Sequence, residues 1–288
     1  MYCSNEEKDT LFETIIFIEK LIHSINPNNI WSINSIYFQN ENEKERIVLK
    51  HIITEKGENL FYAICGKFNV HSEETYNMLQ DFYNKVESTY SSIDSLRKAP
   101  ENPMFGDMID LATDFIKSKY DSIVKNEELK IQIGNIDLSF DEDNKILYCG
   151  ISSQGLPIIS RLYHVNFFNN LKSHANEENI EIFSSKLSAK LATIAMNSLI
   201  RANTNIKEIH ITDLRDQTRK IVILFGYIKN FSLDFVASGD FELVHGAFKK
   251  LLDKISNEKI LQKEFSGDLR PYKKLNKYLD NLVKEIEN

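Results

Sequence analysis

Glycine is scarce in this chain, and its ten copies form none of the phosphate-cradling patterns. A nucleotide-binding loop needs Gly-x-x-x-x-Gly-Lys-Ser/Thr, and a dinucleotide site needs Gly-x-Gly-x-x-Gly after a strand. Neither occurs. Cysteine is scarcer still: Cys3, Cys65 and Cys149 are an odd set without framework spacing or a Cys-x-x-Cys pair. That excludes a disulfide scaffold and points to reduced thiols in a cytoplasm. No apolar run approaches the roughly 20 residues that span a bilayer, so no integral membrane segment is expected. The opening residues MYCSNEEKDT carry acids where a secretory leader carries basic residues, so a cytoplasmic location is expected. Basic charge is also short, with 35 Lys and Arg against 42 Asp and Glu, a formal net charge of −7. Nucleic acid is therefore disfavoured as a partner, because phosphate binding needs a positive footprint.

Apolar residues are plentiful at 42%, with 11% aromatics, ample for packed cores. Leu11, Ile15, Ile18 and Ile22 recur at helical spacing over residues 10–24, and Asn26-Pro27-Asn28-Asn29 stops that helix. Three runs rich in Ile, Val, Tyr and Phe follow at 31–39, 46–54 and 59–68. Their short polar links predict an antiparallel meander. Ser72 has the character of an N-cap for a helix to about Ile93, Pro100 and Pro103 break the chain, and a further helix covers 105–124. The first half thus reads α-β-β-β-α-α.

The second half repeats that order. A helix is expected over 184–201, strands over 206–212, 220–226 and 231–238, an Asp240-capped helix over 241–255, and a last helix over 271–286. Phe265-Ser266-Gly267-Asp268 echoes Phe105-Gly106-Asp107. Residue 184 lies 174 after residue 10, Ile221 lies 174 after Ile47, and Phe265 lies 160 after Phe105. Duplication with loop deletions accounts for these offsets. A strand pair at 145–151 and 156–164 precedes the second half, joined by Ser152-Ser153-Gln154-Gly155. Only nine residues precede the first helix, which leaves no room for an equivalent. Another alternating hairpin lies at 129–140 around Gly134-Asn135. It either completes the first module's sheet as a circular permutation or extends the second sheet.

The stretch Ile146-Leu-Tyr-Cys-Gly-Ile-Ser-Ser-Gln-Gly-Leu-Pro-Ile-Ile-Ser160, followed by a helix and a three-strand block, resembles a longin or roadblock-type domain. The resemblance implies an α+β fold of two modules, 1–125 and 126–288, each an antiparallel sheet packed with helices. One sheet face would carry helices, and the other face or an edge strand would pair with another module. It implies a non-enzymatic scaffold or regulatory subunit for small Ras-like GTPases or trafficking-like complexes. The partners would be such GTPases or other longin or roadblock subunits, with any membrane association peripheral and through those partners.

Chemistry-bearing residues form no constellation. The histidines His23, His51, His71, His164, His174, His210 and His245 are scattered, with no His-Glu-x-x-His pair to hold zinc. Asp141-Glu142-Asp143-Asn144 opens like a calcium loop but lacks Gly at position six and Glu at position twelve. Asp213 and Asp216 fall in a charged turn, and Cys65 and Cys149 lie in apolar strands as small core residues. Arg270, Lys273, Lys274 and Lys277 beside Tyr272 and Tyr278 read as a solvated helix face rather than a phosphate site. No catalytic residue, cofactor or metal is therefore expected. Trp31, Tyr37 and Phe38 are the candidate partner surface, since aromatics dominate binding hot spots, with core packing as the competing role. A small-molecule sensor is the alternative to the scaffold, and an enzyme of unknown class ranks third.

Overall fold

The computed structural model describes residues 9–25, 31–39, 44–53, 57, 59–66, 73–90, 93–127, 144–164, 177–213 and 220–287. Their order is α1 (Asp9–Ile25), β1 (Trp31–Gln39), β2 (Lys44–Ile53), β3 (Asn59–Gly66), α2 (Glu73–Thr89), α3 (Ile93–Lys98) and α4 (Phe105–Glu127). Then come β4 (Lys145–Ser153), β5 (Leu156–Leu162), α5 (Glu177–Ala202), β6 (Asn205–Asp213), β7 (Lys220–Ile228), β8 (Phe231–Ser238), α6 (Phe241–Ser256) and α7 (Lys273–Glu287). The fold is α+β with antiparallel strands. The 129–140 hairpin, the Ser72 cap and residues 141–143 of the acidic turn lie outside the described residues. No helix among the described residues is long and apolar enough to cross a membrane.

The chain divides into two compact units that interleave in sequence. One comprises Met1–Glu13 and Glu43–Gln132, the other Thr14–Asn42 and Ile133–Asn288. In the first unit β2 pairs antiparallel with β3, from Arg46 opposite Gly66 to Ile53 opposite Asn59. Helix α2 lies on this hairpin, where the Lys50 Nζ donates to Gln80 Oε1 at 2.6 Å and sits 4.9 Å from the Tyr83 ring centre. Met78 of α2 packs with Ile116 and Tyr120 of α4. Beside them Tyr120 Oη donates to Asp81 at 2.8 Å, and Lys119 bridges the same carboxylate. The Lys119 ammonium, more than the phenol, holds the Asp81 carboxyl below its ordinary value.

In the second unit the strand order is β1-β6-β7-β8-β4-β5, every neighbour antiparallel. Successive strand side chains point to opposite faces, so residues 160 and 161 of β5 sample both. Ser160 Oγ donates to the Ser184 carbonyl of α5 at 2.7 Å. Arg161 instead reaches α7, its Nε and Nη2 donating to the two Asp280 oxygens at 2.9 and 2.6 Å. Helices therefore cover both faces, whereas the sequence reading expects one face covered. The reason is legible in β7 and β8, whose residues are buried almost without alternation, the signature of strands covered on both sides.

The α6/α7 face holds an apolar core. Ile151, Leu233 and Phe235 of the sheet meet Val244 and Leu251 of α6 and Leu279 of α7. Each large side chain buried this way contributes about 1.5–3 kcal/mol. Helix α7 supplies Leu275, Leu279, Leu282, Val283 and Ile286, an apolar stripe at helical spacing. Asp240 caps α6 as its sequence predicts, accepting from the Glu242 and Leu243 amides at 3.0 and 3.2 Å. The expected helix over 184–201 begins earlier, at Glu177. At the β4–β5 turn Gln154 and Gly155 have φ of 50° and 78°, the pairing of a two-residue hairpin turn.

Candidate interaction interface

Strand β1 lies against β6, its ladder running from Trp31 opposite Asp213 to Gln39 opposite Asn205. These two strands are the first of each three-strand block. Residue 205 lies 174 after residue 31, and residue 213 lies 174 after residue 39, the same offset that relates the two halves in sequence. Ser35, at the middle of β1, has Ile209 as its counterpart and sits opposite His210, with a bulge on its N-terminal side between Ile33 and Ser35. Both strands belong to the second unit, and they pair antiparallel about their own midpoints.

The helices preceding these strands also meet. Lys190 Nζ of α5 donates to the Ser24 carbonyl of α1 at 2.6 Å, and the Arg201 guanidinium lies 5.2 Å from the Phe17 ring centre. Ile15, Ile18, Ile22 and Ile25 form the buried stripe of α1. Glu19 shares that helix, and one of its carboxylate oxygens, Oε2, is buried without a partner. Burial raises its pKa to about 7, despite a hydrogen bond from the Ile33 amide.

Of the candidate partner residues, Trp31 and Phe38 are buried and Tyr37, opposite Glu208, is half-buried. The strand that carries them is already paired with β6 in this chain. Chemistry-bearing side chains elsewhere are similarly occupied. Arg270 forks onto Asp268, Asp280 onto Arg161, and Tyr272 is buried against Phe231 and Phe265. His210 lies 3.4 Å from the Glu208 carboxylate and beside the Phe241 ring. Cys149 is buried, which pushes its thiol well above the ordinary value and disfavours a thiolate. No group of His, Cys, Asp and Glu among the described residues has the arrangement to hold a metal ion.

Sequence reasoning passed over one feature. The α5 face of β4, β5 and β8 carries Tyr148, Gly150, Ser152, Ser160, Ser232 and Asp234, which period-two alternation and the register place together. Asp234 is fully buried. Its oxygens accept from Ser232 Oγ at 2.5 Å and Ser152 Oγ at 3.4 Å. Removal from water outweighs both hydroxyls and raises its pKa to about 7. Tyr148 Oη and Ser188 Oγ are buried without a hydrogen-bond partner, although the Ser188 and Ser160 hydroxyls lie beside the phenol. The signal was an acid inside the apolar run FSLDFVAS, where Leu233 and Phe235 point to the opposite core.

Gly150 makes this packing fit, because a Cβ there would collide with Tyr148 Oη. Gly150→Ala is expected to cost about 1–3 kcal/mol through this overpacking. Urea unfolding followed by circular dichroism measures it, and a wild-type midpoint would show that the phenol can move aside freely. No model of a known protein family matches the chain, and no characterised protein sequence matches it.

Proposed function

We propose that this chain is a non-enzymatic interaction scaffold or regulatory subunit of longin/roadblock type, serving small Ras-like GTPases or trafficking-like complexes. The observation that carries the reading is the antiparallel pairing of β1 with β6 at the 174-residue repeat offset. Modules of this type pair through an edge strand, and one chain holding two modules would make that pair internally. The succession β4-β5-α5-β6-β7-β8-α6-α7 also follows the hairpin, helix, three strands and helices of the resembling fold.

Titration calorimetry of the full chain against purified small Ras-like GTPases, each loaded with GDP or a non-hydrolysable GTP analogue, tests the proposal. Binding that differs at least about fivefold between nucleotide states is expected for a regulatory partner. Absence of heat with every GTPase in both states would sink it. The orphaned Tyr148 and Ser188 hydroxyls favour a second reading, a sensor holding a small polar ligand under α5. Native mass spectrometry of the purified protein distinguishes it by the mass of a retained molecule.

A further inference from the structure

Helix α4 of the first unit is apolar on two adjoining faces. Its inner face, with Phe105, Ala112, Ile116 and Tyr120, is buried. Its outer face is not: Leu111 is 70% and Phe115 56% exposed, and Met104, just before the first turn, is 62% exposed. The spacing of four places Leu111 and Phe115 in one line along the helix, with Met104 at its N-terminal end, the seam that receives another helix. Single exposed apolar residues need no explanation, but three gathered on one helix and its leading turn do.

Charge decides what the line can receive. Asp107, Asp110 and Asp114 are exposed on the same helix, beside the seam. Neither Lys nor Arg occurs between Ala99 and Ile116. A second copy docking through this face would set this acidic flank against the same acidic flank, since a two-fold contact uses one patch on both copies. An anionic membrane surface or a nucleic acid would meet the same repulsion.

We infer that the outer face of α4 docks a basic amphipathic helix, whose apolar stripe covers Met104, Leu111 and Phe115 while its Lys or Arg residues meet Asp107, Asp110 and Asp114. This goes beyond the GTPase proposal, because it concerns another unit and a partner of different chemistry. A chain that binds no GTPase can still bind such a helix, and the converse holds too.

The test uses the full chain and two fluorescein-labelled synthetic helical peptides. Both carry leucine at the spacing of a single stripe, and one bears lysine on its flanks where the other bears glutamate. Fluorescence anisotropy is expected to show the lysine peptide bound and the glutamate peptide at least about tenfold weaker. Leu111→Asp and Phe115→Asp, which alter exposed side chains only, are expected to weaken the lysine peptide about tenfold or more. Their circular dichroism should match the wild type. The combined Asp107→Asn, Asp110→Asn and Asp114→Asn variant is expected to bind more weakly and with a flatter dependence on salt. Equal binding of the two peptides would overturn the inference, as would lysine-peptide binding that Leu111→Asp leaves unchanged. Sedimentation showing a dimer that Leu111→Asp dissolves would overturn it in favour of a second copy.

Discussion

At pH 8.5 the Asp234→Asn protein is expected to be more stable than the wild type by up to about 4 kcal/mol. The sign follows from the environment of the carboxyl. In the unfolded chain it loses its proton near 3.8, and in the fold it keeps that proton to about 7. The folded state therefore binds more protons through that window, and stability falls as pH rises from about 4 to above 7. Asparagine is neutral throughout and can still accept from Ser232, so it removes the loss while retaining a hydrogen-bond partner. Below pH 4 the two proteins should differ little. Glu19, raised from 4.5 to about 7, adds a loss of the same sign, so Asp234→Asn alone leaves some slope. Adding Glu19→Gln should flatten it further. Urea unfolding at pH 4, 6 and 8.5 checks this, and a difference that does not grow with pH would refute a neutral buried Asp234.

Phe38→Ala is expected to destabilise the second unit by about 3–5 kcal/mol, the range for emptying a large aromatic from a packed core. Phe38 is 2% exposed and sits opposite Ile206 in the β1–β6 ladder. Its ring has little surface left to offer a partner. Tyr37→Ala, on a half-buried neighbour, should cost clearly less. The chain's single tryptophan, Trp31, lies at the head of the same strand, so its fluorescence follows unfolding of this unit in particular. A Phe38→Ala transition within about 0.5 kcal/mol of the wild type would place the ring outside the core. A partner-binding loss without a stability loss would restore it to a contact surface.

The strands were legible because Ile, Val, Phe and Tyr gather in runs bounded by polar links, and helix boundaries needed little adjustment where local chemistry marked them, as Asp240 does for α6. Helix α5 shows the limit. Its apolar spacing is clear from Leu187 to Ala195, yet it begins at Glu177, where Asn176 followed by Glu177 and Glu178 is a cap-type signal that the apolar periodicity does not reach. The partner of β1 was illegible for a different reason. Pairing with β6 joins residues about 166 to 182 positions apart, and no local preference encodes it. Trp31 and Phe38 were ambiguous because cores and interfaces select the same rings. Asp234 was visible as an acid in an apolar strand, but its meaning depends on Ser152, which only the β4–β8 register brings near.

The internal β1–β6 ladder has a consequence for how the protein tolerates change. In an assembly of two identical chains every substitution at the shared edge is made twice, and dilution separates the halves. A tether removes both constraints. Ser35 can be replaced while Ile209 stays as it is, and the ladder persists at any concentration because its strands never become independent solutes.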